Sequence, residues 1–262
     1  MSNFNLKASK YDSVSEPQAE LAEGLLDLSL DYLPDTLPVL LDVGCGTGHL
    51  SLGLASLFPK SLDCLDISKE MLKICREKLQ ASFPNLKWRL FESDAESFEP
   101  DLKYDSVYCS AAIQWFTDIA KFLSRTKKWL KPNGTLCIGA FGEKTLCELR
   151  SAYFEATGRQ IETKANFFSL NKLTAIFKKA GFELNDFAEC LYTQGFENPT
   201  TALKILGSMG VSGTGKKALN REEVQEFKKA LLKTGDESFA VKFSWELIAM
   251  IFTIHPAKEI HP

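Results

Sequence analysis

Apolar positions along this chain follow two rhythms: short apolar-rich runs, and longer stretches in which they recur every three or four residues. The short runs, residues 39–43, 61–66, 86–91, 104–110 and 135–141, read as strands of a parallel sheet, which is buried on both faces. Amphipathic helix patterns stand among them. Residues 17–33 place Leu21, Leu25, Leu28 and Tyr32 on one face before Pro34 and Pro38 end the helix. Residues 50–58 continue helically from the first strand. Ser68 is an N-cap for a helix carrying Met71, Leu72, Cys75 and Leu79, stopped before Pro84. Residues 119–130 form a helix that Pro132-Asn133-Gly134 closes. Such alternation predicts an α/β fold with a doubly wound, mostly parallel sheet.

Beyond Phe141 the alternation loosens. Helices are predicted at 145–157, 169–180, 198–209 and 221–232, a sixth strand at 182–192 and the last strand within 239–254. The expected organisation is a helical segment over 1–38, a core over 39–142, and a remainder over 143–262. This gives a seven-stranded sheet with helical covering insertions near 143–170 and 195–235.

The first strand runs straight into Gly44-Cys45-Gly46-Thr47-Gly48 and then into a helix. Glycines at such a turn let backbone approach a ligand, and the helix start aims N–H groups at it. Asp66 closes the second strand 22 residues past Gly44, near the offset of about 20 residues at which a carboxylate grips a ribose diol in nucleotide-binding folds. The third glycine comes one residue too early for a dinucleotide loop, and no Gly-x-x-x-x-Gly-Lys phosphate loop is present. Asp42, in the strand end, suits a ligand with an ammonium group better than one with two phosphates.

Composition narrows the classes. Over 262 residues, 45% hydrophobic and 25% charged residues describe an ordinary globular protein. A net charge of −3 gives no general attraction to nucleic acid or anionic membrane. Seven cysteines without a Cys-x-x-Cys pair point to reduced thiols and a cytoplasmic setting, with Cys45 a small packed side chain of the loop. No secretory signal and no membrane-spanning run is expected. The three histidines, His49, His255 and His261, are too few and too scattered for a histidine metal site or a Ser-His-Asp triad.

The run Leu41-Asp42-Val43-Gly44-Cys45-Gly46-Thr47-Gly48, with Asp66 following, resembles the first motif of class I S-adenosylmethionine-dependent methyltransferases. That resemblance implies a Rossmann-like sheet and S-adenosyl-L-methionine as cofactor, with 39–142 as the cofactor-binding core. Gly44, Cys45, Gly46 and Gly48 would form its loop, with Asp42, Asp66 and Ile67 beside it. Asp94, followed by Ala95, would accept from the adenine amino group, and Ser110 would end the fourth strand where the methyl group emerges.

Further segments resemble one branch, the malonyl-acyl-carrier-protein O-methyltransferases of biotin synthesis. They are Tyr11-Asp12 with Gln18, Ser110-Ala111-Ala112-Ile113-Gln114-Trp115-Phe116-Thr117-Asp118, Phe141-Gly142 with Thr145-Leu146, Glu148-Leu149-Arg150, and Leu203-Lys204 with Leu206-Gly207 and Met209-Gly210. Gly210-Val211-Ser212-Gly213 departs from the pattern frequent there. The branch implies methyl transfer to the carboxylate of a malonyl thioester, on acyl carrier protein or coenzyme A, by a monomer. Tyr11 and Gln18 would close over the methyl donor, Gln114 and Trp115 would sit at the methyl exit, and Arg150 would hold the acceptor carboxylate. Lys216-Lys217, Arg221 and Lys228-Lys229 form a candidate docking surface for an acidic carrier. Methylation of a free small acid or a quinone precursor, or cofactor binding without catalysis, are the other readings these residues leave open.

Overall fold

The computed structural model describes residues 15–161, 165–208 and 219–254. Strand β1 (Val39–Val43) is followed by β2 (Ser61–Asp66), β3 (Trp88–Glu92), β4 (Tyr104–Ser110), β5 (Leu130–Phe141), β6 (Phe182–Phe196) and β7 (Val241–Ile254). They form one sheet in the order β3-β2-β1-β4-β5-β7-β6. β7 runs antiparallel to both neighbours, and the other pairings are parallel. The chain thus reverses direction of travel across the sheet between β1 and β4, where ligands of open α/β folds collect beyond the carboxyl ends of the strands.

Among the described residues, eight α-helices accompany the strands: α1 (Glu16–Ser29), α2 (His49–Ser56), α3 (Lys69–Ser82), α4 (Ile119–Trp129), α5 (Cys147–Thr157), α6 (Leu170–Lys179), α7 (Pro199–Ser208) and α8 (Arg221–Leu232). Strand side chains alternate between faces. Leu41 and Val43 therefore pack with Phe122 and Trp129 of α4 and Phe177 of α6, whereas Leu40 packs with Leu25 of α1, Leu54 of α2 and Leu79 of α3. Ser68 caps α3 by accepting from the Met71 N–H, as its position predicts, and Asp118 does the same for α4 from Lys121. No helix of the described residues is long and apolar enough to cross a membrane.

Three boundaries differ from expectation, each for a local reason. Pro132-Asn133-Gly134 does not separate helix from strand: β5 already pairs at Leu130 with Tyr104. The register then shifts before Ser106 meets Thr135, so the turn is a bulge inside the strand, with Asn133 at φ 63°. β6 extends past Tyr192 to Phe196 because Val241–Ser244 continue to pair with it. The last strand starts at Val241, since Asp236 accepts from the Ser238 and Phe239 N–H groups and turns the chain first.

That longer β6–β7 ribbon matters for the site. Phe141, the last residue of β5, pairs with Leu247, and β7 residues 241–246 continue beyond it against β6. The ribbon therefore projects past the carboxyl edge of the parallel strands. On it, α5 and α8 gather a separate apolar cluster with Trp245, Phe243 and Phe196, which also receives Leu21 of α1.

Candidate active site

The glycine loop is shaped by backbone conformation. Gly44, Gly46 and Gly48 have φ of 71°, 54° and 90°, the left-handed region that favours glycine. Gly44 and Cys45 donate their N–H groups to the Leu65 carbonyl at 2.7 and 3.0 Å, tying the loop to the end of β2. A Cβ on Gly44 would stand 2.5 Å from Cβ of Ala112, and one on Gly48 2.9 Å from Sγ of Cys75. The first glycine thus admits the exit of β4, and the third lets α2 pack on α3. Cys45 is buried with Cys64 and Cys75 under the loop, the packed role its size suggests.

Two hollows meet at this loop, sharing Gly44, Gly46 and Ala111. The larger, about 300 Å³, is lined by Asp66, Ile67, Met71, Asp94, Ala95 and Trp115 among others. The smaller, about 60 Å³, takes in Gln18, Asp42, Cys45, His49 and Ser110. Among the described residues, no lysine or arginine lines either one, while Asp66, Asp94 and Glu96 face the first and Asp42 the second. A pyrophosphate would meet repulsion here; a cation would not. Ile67, 58% exposed, is an apolar side chain left open at the rim of the larger hollow.

The carboxylates are individually held. Asp66 accepts from Gly46 N at 2.9 Å and from Ser68 N at 2.7 Å, one on each oxygen. Each oxygen keeps a lone pair for a ligand hydroxyl. Burial raises its pKa against these hydrogen bonds. Asp94 accepts from Glu96 N at 2.8 Å. Asp42 is 1% exposed and accepts from the Ser51 hydroxyl at 2.6 Å. Burial pushes its pKa up to about 7. Nearby, Gln18 Oε1 and Ser110 Oγ are buried with no hydrogen-bond partner among the described residues, so both can bond a polar ligand.

A cation binds the ionised form of Asp42, so binding must expel the proton held below pH 7. Affinity for a ligand with an ammonium group should be nearly level above that pH and fall roughly tenfold or more between pH 7 and pH 5.5. Calorimetry across this range checks the slope, and Asp42→Asn should flatten it. A level wild-type profile would remove Asp42 from contact with the cationic group.

Of the remaining expected site residues, Tyr11 lies outside the described residues, as do Met209 to Lys217. Gly48 stands behind the loop, at the start of α2. Gln114 is buried, donates Nε2 to the Ala111 carbonyl at 2.8 Å and lines neither hollow. Arg150 is not brought to them either. Its guanidinium donates to the carbonyls of Glu143 and Thr145, gripping the segment that leaves β5. The docking surface differs from the expectation too. In α8, Arg221, Lys228 and Lys229 are matched by Glu222, Glu223 and Glu226, and Lys229 pairs with Glu226, so this helix is not basic overall.

Glu96 carries no local mark of its role. It follows Asp94 and Ala95 by position, but its partners, Thr117 and Asp118, lie more than twenty residues away. Its role is visible only where the segments that follow β3 and β4 meet across the ends of β2 and β1.

A family model described as a methyltransferase domain matches residues 40–134, from β1 into the bulge of β5. Malonyl-acyl-carrier-protein O-methyltransferase 1 of Ilyobacter polytropus is 30% identical over 240 residues, spanning 90% of this chain and 87% of that protein. The Xylella fastidiosa malonyl-acyl-carrier-protein O-methyltransferase is 34% identical over 212 residues, 80% of this chain and 70% of that one. The chain belongs to this O-methyltransferase family. Its fold is shared with an S-adenosylmethionine-dependent methyltransferase structure from Clostridium acetobutylicum, at TM-score 0.58 and 13% identity, with 97% of this chain and all of that one covered. As an S-adenosylmethionine-dependent O-methyltransferase, the chain has a cofactor whose demands the hollows meet. The hollows offer groups of chemistry that fits such a ligand: carboxylates at Asp66 and Asp42, an apolar wall of Ile67, Met71 and Ala95, and buried polar atoms at Gln18 and Ser110.

Proposed function

We propose that this O-methyltransferase methylates the free carboxylate of a malonyl thioester carried on acyl carrier protein, giving the methyl ester that primes pimeloyl and biotin synthesis. The observation that carries this reading is the extent of the similarity. The Ilyobacter polytropus relative is aligned over 90% of this chain, so the match runs well beyond the cofactor core of residues 39–142.

The chemistry fits the residues available. Asp66 would hold the ribose hydroxyls, Asp94 the adenine amino group, and Asp42, Gln18 and Ser110 the amino-acid end. When bound, S-adenosylmethionine supplies a methyl group on a sulfonium that departs as a neutral thioether. A carboxylate acceptor is already ionised at neutral pH, so the chain needs no general base. Its task is in-line placement and exclusion of water. Trp115 and Phe116 would form the wall past which the acceptor enters, with Gln114 supporting that turn and Tyr11 closing from the N-terminal segment.

Arg150 would meet the acceptor carboxylate with the N–H groups it does not give to Glu143 and Thr145. A guanidinium has five donors and two are engaged. Arg150→Lys should raise KM for the malonyl carrier by roughly tenfold or more, the loss of one charge-assisted bond, with cofactor affinity unchanged. If cofactor affinity falls as far as acceptor KM rises, Arg150 serves the loop alone.

The carrier is tested by comparing kcat/KM for malonyl-acyl carrier protein and malonyl-coenzyme A in the same assay. The carrier protein should be preferred. Equal values, or turnover of free small acids in their place, would move the substrate away from a protein-borne thioester.

A further inference from the structure

Glu96 is a charged side chain, 9% exposed, at the lip of the larger hollow, and its charge is spent on the chain itself. One oxygen accepts from Thr117 N at 2.7 Å and from Asp118 N at 3.1 Å; the Thr117 hydroxyl lies 2.9 and 2.8 Å from the two oxygens. These donors hold the carboxyl below its usual pKa range, although burial works the other way. All of them sit on the segment that leaves β4, between its 3-10 turn (Ile113–Trp115) and the cap of α4. Glu96 itself leaves β3, one residue from Ala95 and two from Asp94.

The segment it grips has reason to move. Ala111 sits at φ 51°, a left-handed conformation that an alanine adopts only under constraint. The Cβ of Ala112 occupies the space beside Gly44. Trp115, Phe116 and Thr117 of this segment line the hollow, as do Asp94 and Ala95 of the segment after β3. How these two segments are held relative to each other sets the room left for a flat base.

We infer that Glu96 is a positioning residue for the cofactor: by binding Thr117 and Asp118, it clamps the exit of β4 to the exit of β3 and so sets the width of the cleft that takes the adenosine portion. It acts through Thr117, Trp115 and Phe116, not through contact with the reacting atoms. This rests on the reading of the larger hollow as the cofactor site.

A clamp and a charge have different signatures. The adenosine portion is common to S-adenosylmethionine and to its product S-adenosylhomocysteine, whereas the sulfonium charge belongs to the first alone. A cleft of the wrong width weakens both ligands alike. A lost negative charge weakens the cation selectively.

The test is calorimetry of both ligands on the full chain, for wild type, Glu96→Gln, Thr117→Val and Asp66→Ala, with thermal melting of each. Glu96→Gln should weaken both ligands by a similar factor, about tenfold, the equivalent of one bond to a charged group. Its acceptor KM at saturating cofactor should stay within twofold of wild type. Thr117→Val, which removes the hydroxyl but keeps the N–H donor, should act in the same direction to a smaller extent, and supplies the answer if Glu96→Gln does not fold. Loss confined to S-adenosylmethionine would make Glu96 an electrostatic group and overturn the clamp. Unchanged affinities with a lowered melting temperature would reduce it to a structural residue. If Asp66→Ala also leaves both affinities unchanged, the hollow is not the cofactor site and the clamp falls with it; if Asp66→Ala weakens binding and Glu96→Gln does not, the clamp alone is wrong.

Discussion

Gly44→Ala is expected to abolish measurable cofactor binding and to lower stability by about 2–4 kcal/mol, the combined cost of a left-handed alanine and an overpacked contact. Both terms are visible at this position. The φ of 71° lies where an L side chain is strained, and the new Cβ would stand 2.5 Å from that of Ala112. Ala112 cannot easily retreat, because it follows Ala111 at φ 51° and precedes a turn packed in the core. The loop must therefore shift, and with it the wall of both hollows. Gly46→Ala separates the two terms. Its φ is 54° but an added Cβ meets nothing within 4 Å, so only the conformational cost of about 1 kcal/mol applies. Melting curves should rank wild type above Gly46→Ala and both above Gly44→Ala. With about 2–4 °C per kcal/mol for a domain of this size, the Gly44→Ala midpoint should fall by several degrees or more. Normal cofactor affinity in Gly44→Ala would show that the close approach of the β4 exit is not needed.

Asp66→Ala is expected to weaken cofactor affinity by roughly a hundredfold or more while the fold persists. Two ribose hydroxyls on one carboxylate make charge-assisted bonds of about 1.5–3 kcal/mol each, and 1.4 kcal/mol is tenfold in affinity. The same carboxylate orders the loop, through Gly46 N at 2.9 Å, and the start of α3, through Ser68 N at 2.7 Å. Because Asp66 lines the hollow, water can reach those N–H groups after the substitution, so the stability loss should be small. Asp66→Asn keeps an oxygen acceptor and should fall between wild type and alanine. Calorimetry beside a melting curve reads both quantities. Affinity within threefold of wild type in Asp66→Ala would place the ribose elsewhere.

Much of this arrangement is legible in the chain because it depends on short-range rules. Residues 61–66 and 104–110 form strands as their short apolar-rich runs predict, and Ser68 caps α3 because a hydroxyl before a helical pattern has a free N–H to bind. The glycine loop reveals itself because its left-handed dihedrals favour glycine. Asp42 and Asp66 are legible by distance along the chain from that loop.

What stays hidden depends on contacts between distant segments. The bulge at Pro132-Asn133-Gly134 is invisible locally, since Pro-Asn-Gly reads equally as a turn; the pairing of Leu130 with Tyr104 decides it. The length of β6 is set by β7, fifty residues on. Arg150 reads as a free helical cation, yet it spends donors on Glu143 and Thr145 because Leu146, at φ 56°, turns the chain back toward it. The charges of α8 read as a basic patch when lysines alone are considered; Glu226 and its neighbours offset them once the helix brings them round to the same surface.

The most direct measurement is transfer of a labelled methyl group from S-adenosylmethionine by the purified chain, with malonyl-acyl carrier protein and acetyl-acyl carrier protein as parallel acceptors. The account predicts label on the malonyl carrier, released by mild base as expected of a methyl ester, and none on the acetyl carrier. Label on both carriers, or on neither while calorimetry shows the cofactor bound, would contradict carboxyl methylation of a malonyl thioester.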